Sequence, residues 1–229
     1  NDWSRLHPKS VLVATVLIFI FSITGLYRVN YNISILDDLK PGNSLFDSIE
    51  FVETHLGGTL PLEIVIDTHE DGGIFNYTLL NKIDDFKDKV MSLSEVGGAI
   101  SISDYIKLIN EEIGSGVREI PSSNEEVKSF IHSFEDLNGL VNDKYSKARL
   151  SFRVKNINSE TADKITEKIN IIFNDIFEGN ASVTITGSTL LALHTSKHLV
   201  KSLTTSFILA FLIIFVSIVF LFKSVKLSI

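Results

Sequence analysis

Two histidines four residues apart, His194 and His198, have the spacing in this chain that is closest to a metal site. On a helix, that spacing brings two imidazoles to one face, where they can share a metal ion. The pair lacks the glutamate of an HExxH motif, and no third ligand is evident nearby. The sequence therefore favours two histidines on the solvated face of a helix at a membrane surface. We predict neither a metal nor a cofactor.

Four cations are concentrated in a short alternating segment: Lys147, Arg149, Arg153 and Lys155. On a strand they would project from one face, where they could hold an anionic headgroup or substrate. The same side chains could instead pair with carboxylates across a solvated sheet, which is the simpler interpretation in an acidic domain. The segment is therefore a candidate anion contact, with both roles open.

The residue patterns of an enzyme are not evident. The adjacent carboxylates at 37–38, 84–85, 111–112 and 125–126 lack the spacing of an EF-hand loop. The chain has no cysteine, no G-x-S-x-G elbow and no phosphate-binding loop, so we predict a non-enzymatic protein. A hydrophobic ligand would need an apolar cleft. Candidates to line one, with core packing as the alternative, are Phe46, Phe51, Phe130, Phe134 and Leu137.

Two uncharged apolar runs bracket the chain, at residues 10–27 and 202–222, and are 18 and 21 residues long. As helices they would span about 27 and 31 Å, close to the thickness of a bilayer's hydrocarbon core. We predict a transmembrane helix over each run. A secretory signal peptide is the alternative for the first, but no small-residue cleavage pattern follows it.

Positive charges on the short flanks predict the orientation. Arg5 and Lys9 precede the first run, whereas Lys223 and Lys226 follow the second. Since such residues stay on the cytoplasmic side, we expect cytoplasmic stubs at 1–9 and 223–229 in a multi-pass protein of the inner membrane. Residues 28–201 would then lie outside the cytoplasm. Residues 29–200 carry 27 acidic against 15 basic side chains, a net charge of −12 that argues against a nucleic-acid partner.

The first half of the outward region, 28–187, reads as helix, strand, helix and strand. Asn43 or Ser44 caps a helix that ends at Gly57-Gly58, and residues 60–67 form a buried strand. Asn76 or Thr78 caps the next helix. Gly97-Gly98 then breaks the chain before a short apolar segment at 99–103.

The second half repeats this order. Residues 147–155 alternate as a half-buried strand, a helix begins at Ser159, and a strand covers 181–186. Residues 104–137 form a helical insertion between the halves. Two strand-helix-strand units in series predict an α+β fold with a ferredoxin-like split β-α-β sheet. A connecting helix at 188–201 then runs without a breaker into the second span.

This layout resembles the first quarter of a resistance-nodulation-division (RND) transporter, closest to the MMPL-type or Patched-like branch. Two stretches carry the likeness: GNSLFDSIEFVETHLGGTLPLEIVID from Gly42 to Asp67, and Thr186 to Ile229, which opens with Thr-Gly-Ser and ends FLFKSVKLSI. The resemblance covers nearly the whole chain. It implies a segment of a longer exporter, supplying the first span, the first porter domain and the second span.

For that family the resemblance implies export of lipids or other hydrophobic compounds, driven by the proton-motive force. The implied partners are membrane lipids, the substrate, and the remaining spans and second porter domain of the same protein; a homo-oligomer stays open. The family's proton-carrying carboxylates lie in a later span, and neither run here contains Asp or Glu. The alternative is a two-span sensor or receptor, or a polysaccharide chain-length regulator, with an outward ligand-binding domain.

Overall fold

The computed structural model describes residues 42–133 and 139–225, together with Val13, Leu17, Ile18, Phe21 and Ser34. The predicted first span and the stub before it therefore lie outside the described residues, apart from four isolated positions. Six α-helices and four strands make the described part an α+β fold. The chain divides into two compact units, Ile33–Thr195 and a second made of Asn1–Asn32 with Ser196–Ile229.

Helix α1 spans Ser44–Leu56 and has the predicted cap. The side chain of Asn43 accepts a hydrogen bond from the backbone N–H of Leu45 at 3.0 Å, which satisfies a donor that the helix leaves unpaired. Gly57 ends the helix with a positive φ of 79°. The apolar stripe that predicts α1 is not buried, since Leu45 is 53% and Leu56 49% exposed.

Strand β1 (Leu60–Asp67) is followed by a short 3-10 helix at Gly73–Phe75 and by α2 (Tyr77–Met91). The cap of α2 is Asn76, whose side chain accepts from the N–H groups of Thr78 and Leu79 at 2.9 and 3.3 Å. An asparagine side chain in the extended region is a strong N-cap. The choice between Asn76 and Thr78 is thereby settled in favour of Asn76.

Strand β2 (Val96–Ile100) contains Gly97 and Gly98, so the prediction that they break the chain before a segment at 99–103 is wrong. A Cβ on Gly97 would lie 1.9 Å from the carbonyl oxygen of Gly57. The end of α1 therefore approaches the strand so closely that no side chain fits between them. These glycines mark a backbone contact, and α2 has already ended at Met91.

Two helices follow β2, namely α3 (Ile102–Ile113) and α4 (Asn124–His132). They form a helical insertion between β2 and β3 (Lys147–Val154). α3 begins two residues earlier than predicted because Ser101 and Asp104 form a capping box. The predicted end of α4 falls within 134–138, outside the described residues. Helix α5 (Ser159–Phe177) and strand β4 (Ser182–Thr186) complete the repeat.

The four strands form one sheet in the order β2-β3-β1-β4, and every neighbouring pair is antiparallel. Alternate residues of β1 and β3 are buried, with Ile64 opposite Leu150 in the register. They join one core cluster with buried residues from α2 to α5, in which the ring of Phe86 packs edge-on against Phe173 and Phe177. Residues 150, 152, 154, 165 and 169, which we expect to face one another, all belong to this cluster, and Ile172 packs at its margin.

Helix α6 runs unbroken from Ser188 to Val225, 38 residues, as predicted. Within the described part of the chain it is the single helix long and apolar enough to cross a membrane, over Ser188–Ile218. Its first turns belong to the unit Ile33–Thr195, where Leu190 and Leu193 are buried in the core.

Candidate functional site

The predicted cations lie on or just after the solvent-exposed face of β3, and the structure divides them into two pairs. Lys147 lies opposite Asp67 in the register, and its Nζ is 3.0 Å from Asp67 Oδ2. Arg149 Nε is likewise 3.0 Å from Glu63 Oε2 on β1. These two cations therefore already have carboxylate partners on the neighbouring strand.

Hydrogen bonds around these carboxylates reinforce the pairing. The Ser151 hydroxyl donates to Glu63 Oε2 at 2.6 Å. The backbone N–H of His69, followed by the Lys147 ammonium, lowers the pKa of Asp67 below its ordinary value of 3.8. Asp67 is thus held in its charged form, and both Lys147 and Arg149 keep a carboxylate partner that competes with an added anion.

Arg153 and Lys155 differ from the other two cations. Among the described residues, neither forms an ion pair with a carboxylate. The guanidinium of Arg153 lies over Gly98, where a Cβ would be 2.6 Å from Nη2. Lys155 follows the strand and donates to the backbone carbonyl of Ser94 at 2.8 Å. Of the four predicted anion contacts, these two keep the more available charge.

The predicted apolar cleft residues lie on different elements. Phe46 and Phe51 belong to α1, and Phe51 is 60% exposed with its ring stacked on His55 at 4.1 Å. Phe130 on α4 packs against the core cluster, as its alternative interpretation predicts. Phe134 and Leu137 lie outside the described residues. The three described residues therefore lie on two separate helices, α1 and α4.

A partly buried charged cluster lies between α2 and α3, and the sequence analysis did not predict it. We call it the α2–α3 network; its members are Asp84, Lys87, Ser101, Ser103, Asp104 and Lys107. Lys87, only 8% exposed, pairs with Asp84 at 3.0 Å and with Asp104. Lys107 pairs with the second oxygen of Asp84. The exposed Asp88 lies 3.8 Å from Lys87 as well, so two ammonium groups face three carboxylates.

Serine and backbone donors complete the α2–α3 network. The hydroxyl of Ser103 donates to Asp84 Oδ1 at 2.9 Å, and Ser101 donates to Asp104 Oδ2 from its backbone N–H at 2.8 Å. Burial alone would disfavour ionisation of Asp84, but the hydrogen bonds from Lys107 and Lys87 outweigh it and lower the pKa of Asp84. Burial alone would lower the pKa of Lys87, but its hydrogen bonds to Asp104 and Asp84 outweigh burial and raise the pKa.

A sequence signal for the network did exist. Lys87 lies three or four residues from Ile83 and Val90, on the stripe of α2 that faces the core. A lysine in that position must either reach solvent or find buried anions. Asp84 and Asp104 are those anions, and the network attaches the inserted helix α3 to α2.

The predicted histidine pair lies at the start of α6. His194 Nε2 is 3.8 Å from Asp163 Oδ1 on α5, so its near neighbour is a carboxylate of the sheet domain. Among the described residues, no three metal-binding side chains converge. The histidine pair therefore lies where the start of α6 passes close to α5.

Comparison of the chain with known proteins finds no protein-family model that matches it and no curated protein that matches it.

Proposed function

We propose that this chain supplies an outward-facing porter domain and a membrane-spanning helix to an exporter of lipids or other hydrophobic compounds, of the RND type and nearest the MMPL branch. The sheet order β2-β3-β1-β4, with helices packed on one face, supports a ferredoxin-like split β-α-β domain. The segment has no catalytic role in this proposal. Its proton coupling would lie in other spans of the same protein.

The observation that carries the proposal is the direct passage from the sheet into the spanning helix. Strand β4 ends at Thr186, and α6 begins at Ser188, so a single residue separates them. That residue, Gly187, has φ +118°, and a Cβ there would lie 3.2 Å from Pro61 O and from Glu63 N of β1. The turn is therefore closely packed against the sheet and leaves little freedom to hinge.

The two ends of α6 face different surroundings. Leu190 and Leu193 lie in the domain core, whereas Leu203, Phe207 and Leu209 expose more than half of their surface. No proline or glycine interrupts the helix between Ser188 and Val225. A continuous helix resists bending, so a tilt of its lipid-facing part would be transmitted to the domain. Such a link suits an alternating exporter.

The rest of the proposed topology follows the charge bias of the flanks. Residues 10–27 form the first span, both termini are cytoplasmic, and 28–201 lie outside the cytoplasm. The apolar face of α1 and the half-buried Phe46 are the proposed contacts for a hydrophobic substrate on this domain.

The test inserts Gly-Gly-Gly after Lys197 in the full-length protein, which softens α6 while both ends still fold. A matched control places the same insertion after Ser115, in the exposed turn between α3 and α4. Cells expressing each variant are loaded with Nile red, and dye efflux is followed with and without a protonophore. We expect efflux to be lost with the α6 insertion and retained with the control, at equal amounts of protein in the membrane.

Two results would contradict the proposal. Efflux at the wild-type rate after the α6 insertion would exclude the rigid link. Efflux no faster than in cells lacking the protein would exclude transport of this dye class and favour the sensor alternative.

A further inference from the structure

Helix α1 carries an apolar stripe that the fold leaves partly uncovered. Leu45, Ile49, Val52 and Leu56 are spaced by four, three and four residues, so their side chains lie along one side of the helix. No residue of α1 is buried, and both ends of the stripe, Leu45 and Leu56, are exposed. Exposed apolar surface is unfavourable in water, so the stripe is a candidate contact for an apolar ligand.

The length of the apolar stripe fits one alkyl chain. Leu56 follows Leu45 by eleven residues, which is about 16 Å along the helix axis. Half of a bilayer's hydrocarbon core, which is the length that one lipid chain fills, is about 15 Å. A ligand with a single alkyl chain can therefore cover the whole stripe.

The C-terminal end of α1 meets strand β2 at two consecutive glycines, Gly97 and Gly98. A Cβ on Gly97 would lie 1.9 Å from the carbonyl oxygen of Gly57, which places the end of α1 against this point of the strand. A Cβ on Gly98 would lie 2.6 Å from Nη2 of Arg153. The end of α1 and the guanidinium of Arg153 therefore contact neighbouring residues of β2.

Lys155 approaches the same end of α1 from the chain that follows β3. A Cβ on Gly58 would lie 2.9 Å from the backbone nitrogen of Lys155, so the residue after Gly57 packs against it. The Lys155 ammonium donates to the Ser94 carbonyl oxygen at 2.8 Å. An ammonium group has three donors, so two remain for another acceptor.

Two carboxylates of this region already have hydrogen-bond donors. Glu53 accepts from the backbone N–H of Asn156 at 2.5 Å and from the Thr59 hydroxyl at 3.3 Å. Glu95 accepts from the Ser94 hydroxyl at 2.9 Å. In the described part of the chain, neither carboxylate forms an ion pair with the two cations, which therefore keep their charge for a further anion.

The distribution of charge along α1 sets the orientation of such a ligand. Asp47 and Glu50 lie in the N-terminal half of the helix, where they would repel an anion. Arg153 and Lys155 lie at the C-terminal end, where they would attract one. An uncharged ligand would contact the apolar stripe alone, whereas a ligand with an anionic head group and one alkyl chain uses both features.

We propose that α1 and the end of β3 bind a single-chain amphiphile with an anionic phosphate head group. The alkyl chain lies along the apolar stripe, and Arg153 and Lys155 donate to the phosphate oxygens. This inference rests on the proposed function, since it names the charge and the shape of the hydrophobic compound that the domain takes. The proposed function itself requires only an apolar substrate.

The test measures which lysolipid the purified full-length protein retains. The protein, in neutral detergent, is incubated with an equimolar mixture of lysophosphatidylglycerol and lysophosphatidylcholine that carry the same myristoyl chain, and bound lipids are counted by native mass spectrometry. The site variant is Arg153→Gln with Lys155→Gln. The matched control is Lys147→Gln with Arg149→Gln, which removes the same charges from the two cations that already have carboxylate partners.

We expect the wild-type protein and the control to prefer lysophosphatidylglycerol, and the site variant to lose that preference by about tenfold, because two charge-assisted hydrogen bonds are removed. Leu56→Ser should weaken retention of both lysolipids, since it interrupts the apolar stripe. Equal loss in the control would reduce the effect to net charge. An undiminished preference in the site variant would place the lipid elsewhere, and full retention by the Leu56 variant would exclude the stripe; each of these results overturns the proposal.

Two further measurements separate this inference from other assignments. A disulfide that joins two copies carrying Leu45→Cys and blocks lysolipid binding would assign the stripe to a second copy of the chain and overturn the proposal. Nile red efflux by a protein without lysolipid preference would overturn this inference alone. Lysolipid preference without Nile red efflux would support it and contradict the proposed transport.

Discussion

The ion pairs on the two sides of the sheet differ in how far they are exposed to solvent. On the open face, Lys147 and Arg149 pair with carboxylates across the strands while about half of each cation stays exposed. On the helical side, Lys87 is 8% exposed and pairs with Asp84 and Asp104 between α2 and α3. The same kinds of ion pair therefore occur in two very different dielectric surroundings.

Because of this difference, loss of one partner should cost little stability on the open face and much more in the α2–α3 network. Solvent screens the open-face pairs, so each contributes little. In the α2–α3 network, removal of one partner leaves a buried charge without compensation, which is costly even if the intact network adds little net stability. The network also holds the inserted helix α3 against α2, whereas the open-face pairs lie within the sheet.

The largest loss of stability should come from truncation of a buried apolar side chain of β3. Phe152 is fully buried and its neighbour Arg153 projects from the open face. We expect Phe152→Ala to lower the free energy of unfolding of the excised domain 33–195 by about 3–5 kcal/mol, because a large cavity remains. Arg153→Ala should cost well under about 1 kcal/mol. Equal costs in denaturant unfolding would invalidate the assignment of the two faces.

The second-largest loss of stability is expected from truncation of the buried Lys87. Lys87→Ala leaves Asp104 without its ammonium partner and Asp84 with Lys107 alone. We expect a loss of about 3 kcal/mol in the unfolding free energy. Lys144→Ala, which breaks the exposed pair with Asp71, is the matched control and should cost less than about 0.5 kcal/mol. A Lys87 variant as stable as the Lys144 variant would show that burial makes no difference between the regions.

A smaller effect is expected where α1 meets the sheet. Gly97→Ala places a methyl group within 1.9 Å of the Gly57 carbonyl oxygen, so the two backbones must separate. Overpacking of this kind costs about 1–3 kcal/mol. Hydrogen exchange should show the loss concentrated in α1 and β2. Gly116→Ala, where no atom lies within 4 Å of the added methyl, controls for glycine replacement alone.

The smallest expected effect is a difference between the two regions in how salt changes their stability in acid. The pKa values of Asp67 and Asp84 are both lowered from 3.8, so each carboxylate adds stability above that value that is lost as pH falls through its lowered pKa. About 0.5 M salt should reduce the Asp67 contribution and leave that of Asp84 nearly intact, because solvent ions screen exposed charges. Acid unfolding of Asp67→Asn and Asp84→Asn at low and high salt measures this; equal salt sensitivity would contradict it.

Local features made much of the fold predictable. The alternation at 147–155 predicts both strand β3 and its buried face, since side chains of a strand point to opposite sides in turn. Asn43 and Gly57 predict the ends of α1, because caps act within a few residues of the backbone groups that they satisfy. The unbroken run after Gly187 predicts α6. In each case the deciding interactions lie close together in the chain.

Tertiary structure decided what depends on distant neighbours. Gly97 reads as a breaker until the backbone of Gly57, 40 residues earlier in the chain, is placed against it. Lys87 lies on the core-facing stripe of α2, but its second carboxylate partner is decided only when α3 brings Asp104 within reach. The four cations of 147–155 look equivalent, but the register of β1 neutralises two and leaves Arg153 and Lys155 available. Periodicity and local caps thus determine most of the elements and the buried face of β3, whereas pairing across the fold determines which charges have partners.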